Sequence, residues 1–198
     1  MTAWLTSVAV LALVMAATPG PNNVLFAAAG ARDGYRRTLP LLAGMIGGFA
    51  LLIGATVAGA GGVLEAVPGS RLGMTAVASA YMAYLGVRLW RASSLAEEPG
   101  QDPTLMTWWQ MALFQVANPK TWLAVLAFVT GKLGPQSPGG VTTDLVGAAC
   151  FLAVVWASAS SWALFGAALR ARLAAEGGRR VMRLLAVLAF LTIPTFWW

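Results

Sequence analysis

The sequence predicts an all-α membrane protein with six transmembrane helices, arranged as two inverted three-helix repeats, with helices 1 and 4 broken at mid-membrane. Of its 198 residues, 59% are hydrophobic and only 10% are charged, whereas soluble domains carry about 25% charged residues. The mean hydropathy is +0.73. Apolar residues form six segments, and polar residues interrupt the first segment at 17–23 and the fourth at 118–120.

The predicted helices follow the apolar runs of the chain. Each run is close to the roughly 20 residues that a membrane-spanning helix needs. The last is the shortest, and its terminal aromatic residues suit a membrane interface. The segments lie at about 3–31, 39–64, 72–90, 105–129, 145–169 and 181–198.

Basic residues set the predicted orientation. The first, third and fifth loops carry ten arginines, whereas the opposite loops carry only Arg71 and Lys132. Because cytoplasmic loops are enriched in Lys and Arg, these three loops are expected in the cytoplasm, with both termini outside an inner (cytoplasmic) cell membrane. The ten arginines are Arg32, Arg36, Arg37, Arg88, Arg91, Arg170, Arg172, Arg179, Arg180 and Arg183.

The third loop divides the predicted transporter domain, residues 1–198, into two repeats. Residues 92–104 are rich in polar residues and form a cytoplasmic linker between repeat one, about 1–91, and repeat two, about 105–198. An odd number of spans in each repeat inverts the second relative to the first. Pro21 and Pro119 occupy corresponding places, which supports the repeat, and inverted three-helix repeats are a common transporter plan.

The two interruptions are predicted at the same depth in the bilayer. Pro21 lies 11 residues from Arg32, and Pro119 lies 12 residues from Thr107. At 1.5 Å per residue these distances are about 16 and 18 Å from the cytoplasmic edge, near the middle of a core of about 30 Å. Non-helical backbone at that depth must be buried in protein or line a cavity. Paired breaks in two halves indicate a transporter substrate site.

The residues at each break predict a binding site for an amino acid. Asn118 is a good N-cap and Pro119 fits a first helical position, an arrangement that Gly20 and Pro21 repeat. Two half-helix N-termini would favour a carboxylate, and Lys120 adds a positive charge. Amide oxygens nearby suit an ammonium group. The candidate substrate-binding residues are Gly20, Pro21, Asn22, Asn23, Gln115, Asn118, Pro119 and Lys120.

Two plainer interpretations of the same residues stay open at this stage. Prolines also kink transmembrane helices for packing alone. Lys120 could extend its side chain to a membrane interface, as long basic side chains do.

Composition excludes several other classes of function. The net charge of +6 comes from arginines beside apolar runs, without the pattern of a nucleic-acid interface. The chain has no histidine, one cysteine (Cys150), no acid inside its apolar segments and no G-x-S-x-G motif. We therefore expect no enzyme, no cofactor, no metal site and no nucleic-acid partner. The expected partners are a small amino-acid substrate and the lipid bilayer, and a homo-oligomer remains open.

Five stretches carry a family resemblance. They are Thr18-Pro19-Gly20-Pro21-Asn22-Asn23, Arg32-Asp33-Gly34-Tyr35-Arg36, the pair Gly44 and Gly48, Tyr81-Met82-Ala83-Tyr84-Leu85-Gly86, and Phe114-Gln115-Val116-Ala117-Asn118-Pro119-Lys120-Thr121-Trp122. Together they resemble the LysE/RhtB family of amino-acid exporters over nearly the whole chain. The resemblance implies export of amino acids or close derivatives from the cytoplasm, driven by the proton motive force.

Two positions depart from the pattern of that family. Many members carry an aspartate where this chain has Phe49, and many carry a lysine near Thr75. The missing acid weakens a simple carboxylate-based route for protons. The residues around Gly44 and Gly48 are more similar to the branch that includes cysteine and O-acetylserine exporters.

The sequence therefore predicts a secondary transporter that works by alternating access, through rocking of its two halves. A divalent metal-ion exporter of the same superfamily is one alternative, although such a site needs clustered hard oxygen ligands. A non-transporting membrane subunit is the other.

Overall fold

A computed structural model describes residues 1–17, 20–59, 69–91, 105–172 and 178–197. These residues form helices joined by turns, with two short 3₁₀ turns at Gly134–Gln136 and Pro194–Phe196, and no strand occurs among them. The all-α prediction is confirmed. The helices are α1 (Thr2–Ala17), α2 (Pro21–Asp33), α3 (Tyr35–Val57), α4 (Ser70–Arg91), α5 (Trp108–Ala117), α6 (Pro119–Lys132), α7 (Gly140–Arg172) and α8 (Gly178–Thr192).

The predicted break in the fourth segment is confirmed at Asn118. Helices α5 and α6 meet there at an angle of 73°. Asn118 has extended backbone angles, φ −89° and ψ 108°, because a residue before proline avoids the helical region. Its side-chain oxygen accepts a hydrogen bond of 3.1 Å from the Lys120 backbone N–H, which caps α6.

The first segment is interrupted in the same way. Helices α1 and α2 lie at 68° to each other. Gly20 precedes α2 with extended backbone angles, φ −168° and ψ 176°, and Pro21 is the first helical residue. The rest of the predicted interruption, Thr18 and Pro19, lies outside the described residues.

One side chain bridges each break. The Asn23 side-chain amide donates to the Ala16 carbonyl at 3.0 Å, and the Trp122 indole N–H donates to the Val116 carbonyl at 2.8 Å. Both acceptors lie in the last turn of the first half-helix, where carbonyls lack partners within the helix. The two breaks therefore have the same construction, which fixes the angle between the half-helices.

Close glycine contacts pack the helices around the breaks. A Cβ on Gly30 of α2 would overlap the Ala163 carbonyl of α7, and a Cβ on Gly166 of α7 would overlap the Ala27 carbonyl of α2. These two contacts are reciprocal. Gly30 lies three residues after Ala27 on α2, and Gly166 lies three residues after Ala163 on α7. Small residues let helix backbones approach closely in membranes, and α2 packs extensively against α7.

A second small-residue contact joins the two predicted repeats. A Cβ on Gly44 of α3 would overlap the carbonyl of Trp108, and a Cβ on Gly48 would approach that of Ala112 at 2.7 Å. Both carbonyls belong to α5, which begins with a capping box between Thr107 and Gln110. Helix α3 therefore lies directly against the first half of the second broken segment.

The described residues include two helices that are long and apolar enough to cross a bilayer, α3 and α7, and up to four spans if each bent pair counts as one. This finding supports a multi-pass membrane protein. Helices α4 and α8 pack against each other but do not meet the same criterion of length and hydropathy. The predicted linker at 92–104 and the stretches 60–68 and 173–177 lie outside the described residues.

Candidate functional site

A small cavity lies where the two breaks meet. Its walls come from α1, α2, α3, α6 and α7, and it leaves about 40 Å³ for the centres of water-sized groups, room for a few waters or a small polar molecule. Of the eight residues predicted from the sequence, six line the cavity: Gly20, Pro21, Asn22, Asn23, Asn118 and Lys120. The two interruptions, about a hundred residues apart in the chain, thus come together.

Lys120 connects the two half-helix N-termini. It is the second residue of α6, and its side chain extends to the start of α2. Its Nζ atom lies 2.8 Å from the position that a Cβ on Gly20 would occupy. Two helix N-termini and an ammonium group therefore face one volume, and each of them attracts an anion.

None of the described residues that line the cavity is acidic. The positive groups at the two breaks would attract a carboxylate ligand that enters the cavity, and such pairing is stronger where water is partly excluded than in bulk solvent.

Gln115 holds Asn22 in place rather than lining the cavity. Its side-chain oxygen accepts from the Asn22 amide at 2.9 Å and from the Thr121 hydroxyl at 3.0 Å. Its amide nitrogen donates to the Asn22 side-chain oxygen at 3.3 Å and to the Met111 carbonyl at 3.2 Å. A glutamine amide has two hydrogens and two main acceptor sites, so these four bonds use its full capacity.

The network around Gln115 links three helices. Gln115 is fully buried, with 0% of its surface exposed, on α5, while Asn22 belongs to α2 and Thr121 to α6. The remaining predicted residue, Pro119, is buried at the start of α6 behind the lining. Gln115 and Pro119 therefore support the site from outside the cavity.

Sequence reasoning missed the apolar side of the cavity. Met15 of α1, Met45 and Phe49 of α3, and Phe151 and Val155 of α7 also line the cavity. Phe49 was singled out only as a departure from a family pattern. Phe151 and Val155 carry no local signal, because α7 is apolar on most of its surface and its sequence does not indicate which face is buried.

Clustered metal ligands are not found in the described part of the chain. No group of three or more His, Cys, Asp or Glu side chains lies together in residues 1–17, 20–59, 69–91, 105–172 and 178–197. The metal-ion alternative gains no support from these residues.

Known proteins share this chain's sequence pattern. The model of the LysE type translocator family matches residues 13–196. The cysteine/O-acetylserine efflux proteins of Escherichia coli (strain K12), Shigella flexneri serotype 5b (strain 8401) and Shigella sonnei (strain Ss046) are each 29% identical over 178 residues, which covers 89% of this chain and 88% of each relative. No solved structure matches the chain.

These matches confirm the resemblance that the sequence motifs indicate. They also confirm that the chain is a transporter rather than an enzyme, because the family consists of translocators. Since the family model covers most of the sequence, the chain belongs to the LysE type translocator family.

Proposed function

We propose that this protein exports amino acids or close derivatives from the cytoplasm, and that the cavity between the two breaks holds the substrate. The observation that carries the proposal is the position of Lys120 Nζ against Gly20. It joins a full positive charge to two helix N-termini in a cavity whose described lining has no acid. The related efflux proteins, whose names specify cysteine and O-acetylserine, make these two compounds the first candidates.

Each end of an amino acid has chemically suitable partners at this site. The carboxylate would accept hydrogen bonds from the α2 N-terminus and pair with Lys120. The first N–H groups of α6 already donate to Asn118, so α6 would contribute the positive end of its dipole. The ammonium group would donate to amide oxygens. The side-chain oxygens of Asn22 and Asn118 each accept a hydrogen bond from the protein, and an amide oxygen has a second lone pair for a further donor. Asn23, Gly20 and Pro21 complete the polar side of the site.

We further propose that six spans form two inverted repeats, 1–91 and 105–198. The packing supports this symmetry. Helix α1, which opens repeat one, packs against α7, while α5, which opens repeat two, packs against α3.

Alternating access would follow from rocking of these repeats about the cavity. The substrate site lies between elements of both repeats, with Lys120 in one and Gly20 in the other, so a relative rotation would expose it to either side. Export against a gradient requires an energy source, and we propose the proton motive force, as the resemblance implies. The arginine pattern supports an inner-membrane location with both termini outside.

Efflux from proteoliposomes tests the proposed function. Vesicles containing the purified protein are loaded with a mixture of amino acids and O-acetylserine under reducing conditions, and the external solution is analysed by mass spectrometry with and without an imposed proton gradient. We expect selective, protein-dependent loss of one or a few compounds, faster with the gradient. Equal retention of all compounds by protein-containing and empty vesicles would contradict the proposal, and divalent cations would then be tested.

A further inference from the structure

The cavity has a polar side and an apolar side, and the apolar side is built from aromatic rings. Phe49 of α3 and Phe151 of α7 both line it, with ring centroids 6.1 Å apart. Behind them, Phe128 of α6 stacks on Phe151 with centroids 4.5 Å apart and planes inclined by 22°. We call Phe49, Phe151 and Phe128 the aromatic wall.

The aromatic wall has little freedom to move. Phe128 and Phe151 expose 0% of their surface and Phe49 exposes 5%. Its three members come from three different helices, so displacing one ring requires the others to repack. Protein interiors are close-packed and resist such changes in volume. The wall therefore bounds the cavity at a fixed position.

We infer that the aromatic wall limits the size and charge of the substrate side chain, with Phe49 as the residue that determines specificity. The inference rests on the proposed function, because it places the carboxylate and ammonium groups on the polar side. The substrate side chain then points at the rings. The remaining space is small, because the cavity leaves about 40 Å³ for the centres of water-sized groups, which is room for only a few waters. The substrate side chain can therefore have only a few heavy atoms.

Charge selection follows from the same arrangement. Met45, Phe49, Phe151 and Val155 cannot pair with a charged side chain, and Ser158 of α7, which also lines the cavity, offers only an uncharged hydroxyl. Burying an ionised group without a partner costs far more than burying a neutral one. A basic side chain would in addition be repelled by Lys120. The site is thus assigned to small, neutral amino acids.

Substitution of Phe49 tests this assignment. Alanine, leucine, phenylalanine and lysine efflux are compared in proteoliposomes containing wild-type protein or Phe49→Ala. We expect wild-type protein to transport alanine in preference to the others. Phe49→Ala should raise the rates of leucine and phenylalanine efflux relative to alanine efflux by roughly tenfold or more. This is the size of effect by which apolar pockets discriminate between side chains of slightly different size. Lysine should still not be transported.

A matched control and a milder variant make the result decisive. Leu51→Ala lies on the same helix at a site with 62% of its surface exposed, and should leave the profile unchanged. If Phe49→Ala does not insert, Phe49→Leu should shift the ratio in the same direction by a smaller factor. A wild-type profile in the Phe49 variants would overturn the inference alone, whereas absence of amino-acid efflux by wild-type protein would overturn the proposed function.

Discussion

Lys120 Nζ lies 2.8 Å from the position that a Cβ on Gly20 would occupy. This contact joins the N-terminal turn of α6 to the residue that precedes α2. The backbone of Gly20 is extended, with φ −168°, a conformation open to any residue. The absence of a side chain at Gly20 therefore leaves space for the Lys120 side chain, whereas the backbone angles of Gly20 do not need a glycine.

Gly20→Ala should weaken substrate binding without unfolding the protein. The new methyl group would meet Nζ and the Cδ atom of Lys120, at 2.8 and 3.2 Å, and a flexible side chain can move away. A displaced ammonium group loses part of a charge-assisted contact worth about 1.5–3 kcal/mol, so the apparent affinity for the amino acid should fall roughly tenfold. Concentration-dependent efflux measures it. Gly47→Ala is the control, because a Cβ there meets no atom within 4 Å; equal losses in both variants would refute the spatial role of Gly20.

Lys120→Met should abolish export while leaving the protein inserted in the membrane. Methionine keeps an unbranched side chain but removes the charge that would pair with the substrate carboxylate. Membrane insertion is checked by fractionation and transport by efflux from proteoliposomes. Lys132→Met, near the C-terminal end of α6, removes a lysine outside the cavity and should retain activity. Wild-type rates in Lys120→Met would rule out its role in carboxylate binding.

Gly30→Ala should destabilise the fold, because the added methyl group would overlap a backbone carbonyl of α7 that cannot move independently. Overpacking of this kind typically costs 1–3 kcal/mol, so the thermal unfolding midpoint in detergent should fall by several degrees. The control is Gly131→Ala in α6, where a Cβ meets nothing within 4 Å. That variant should be neutral or slightly stabilising, because alanine favours helix more than glycine. An unchanged midpoint for Gly30→Ala would argue against the close α2–α7 contact.

Asn22 and Gln115 should show energetic coupling. Gln115→Leu leaves the side chains of Asn22 and Thr121 without a buried partner, which costs about 1–3 kcal/mol. Unfolding free energies in detergent are measured for Gln115→Leu, Asn22→Leu and the double variant. The double variant should be more stable than the sum of the single effects predicts, with a coupling of about 0.5–3 kcal/mol. Strictly additive effects would show that the reciprocal amide pair contributes nothing to linking α2 and α5.

The breaks could be predicted from the sequence because their causes are local. Asn118 and Pro119 determine a helix end and a helix start through backbone geometry and a side-chain cap. Gly20 and Pro21 start α2 through backbone geometry alone. A similar depth for the two breaks was predicted from their distances of about 16 and 18 Å to the cytoplasmic edge. Family membership followed from motifs at the same places.

The aromatic wall and the role of Gln115 could not be predicted from the sequence. The reciprocal contacts of Gly30 and Gly166 with the neighbouring backbone determine which face of α7 meets the cavity. The sequence of α7 does not specify that face, because apolar residues lie on every side of the helix. Gln115 was predicted in the binding site, but its amide bonds point to Asn22, Thr121 and Met111. Only three-dimensional packing shows that Gln115 is absent from the lining of the cavity and bonded to neighbouring residues.

The most direct test of the account compares cysteine with cysteamine, which is cysteine without its carboxylate. Proteoliposomes are loaded with both compounds at equal concentration under reducing conditions, and the rates in empty vesicles are subtracted. Since the two half-helix N-termini and Lys120 are proposed to hold the carboxylate, we expect protein-dependent efflux of cysteine and none of cysteamine. In Lys120→Met, the difference between the efflux rates of the two compounds should disappear. Equal protein-dependent efflux of the two compounds would contradict the central claim that this site recognises a carboxylate.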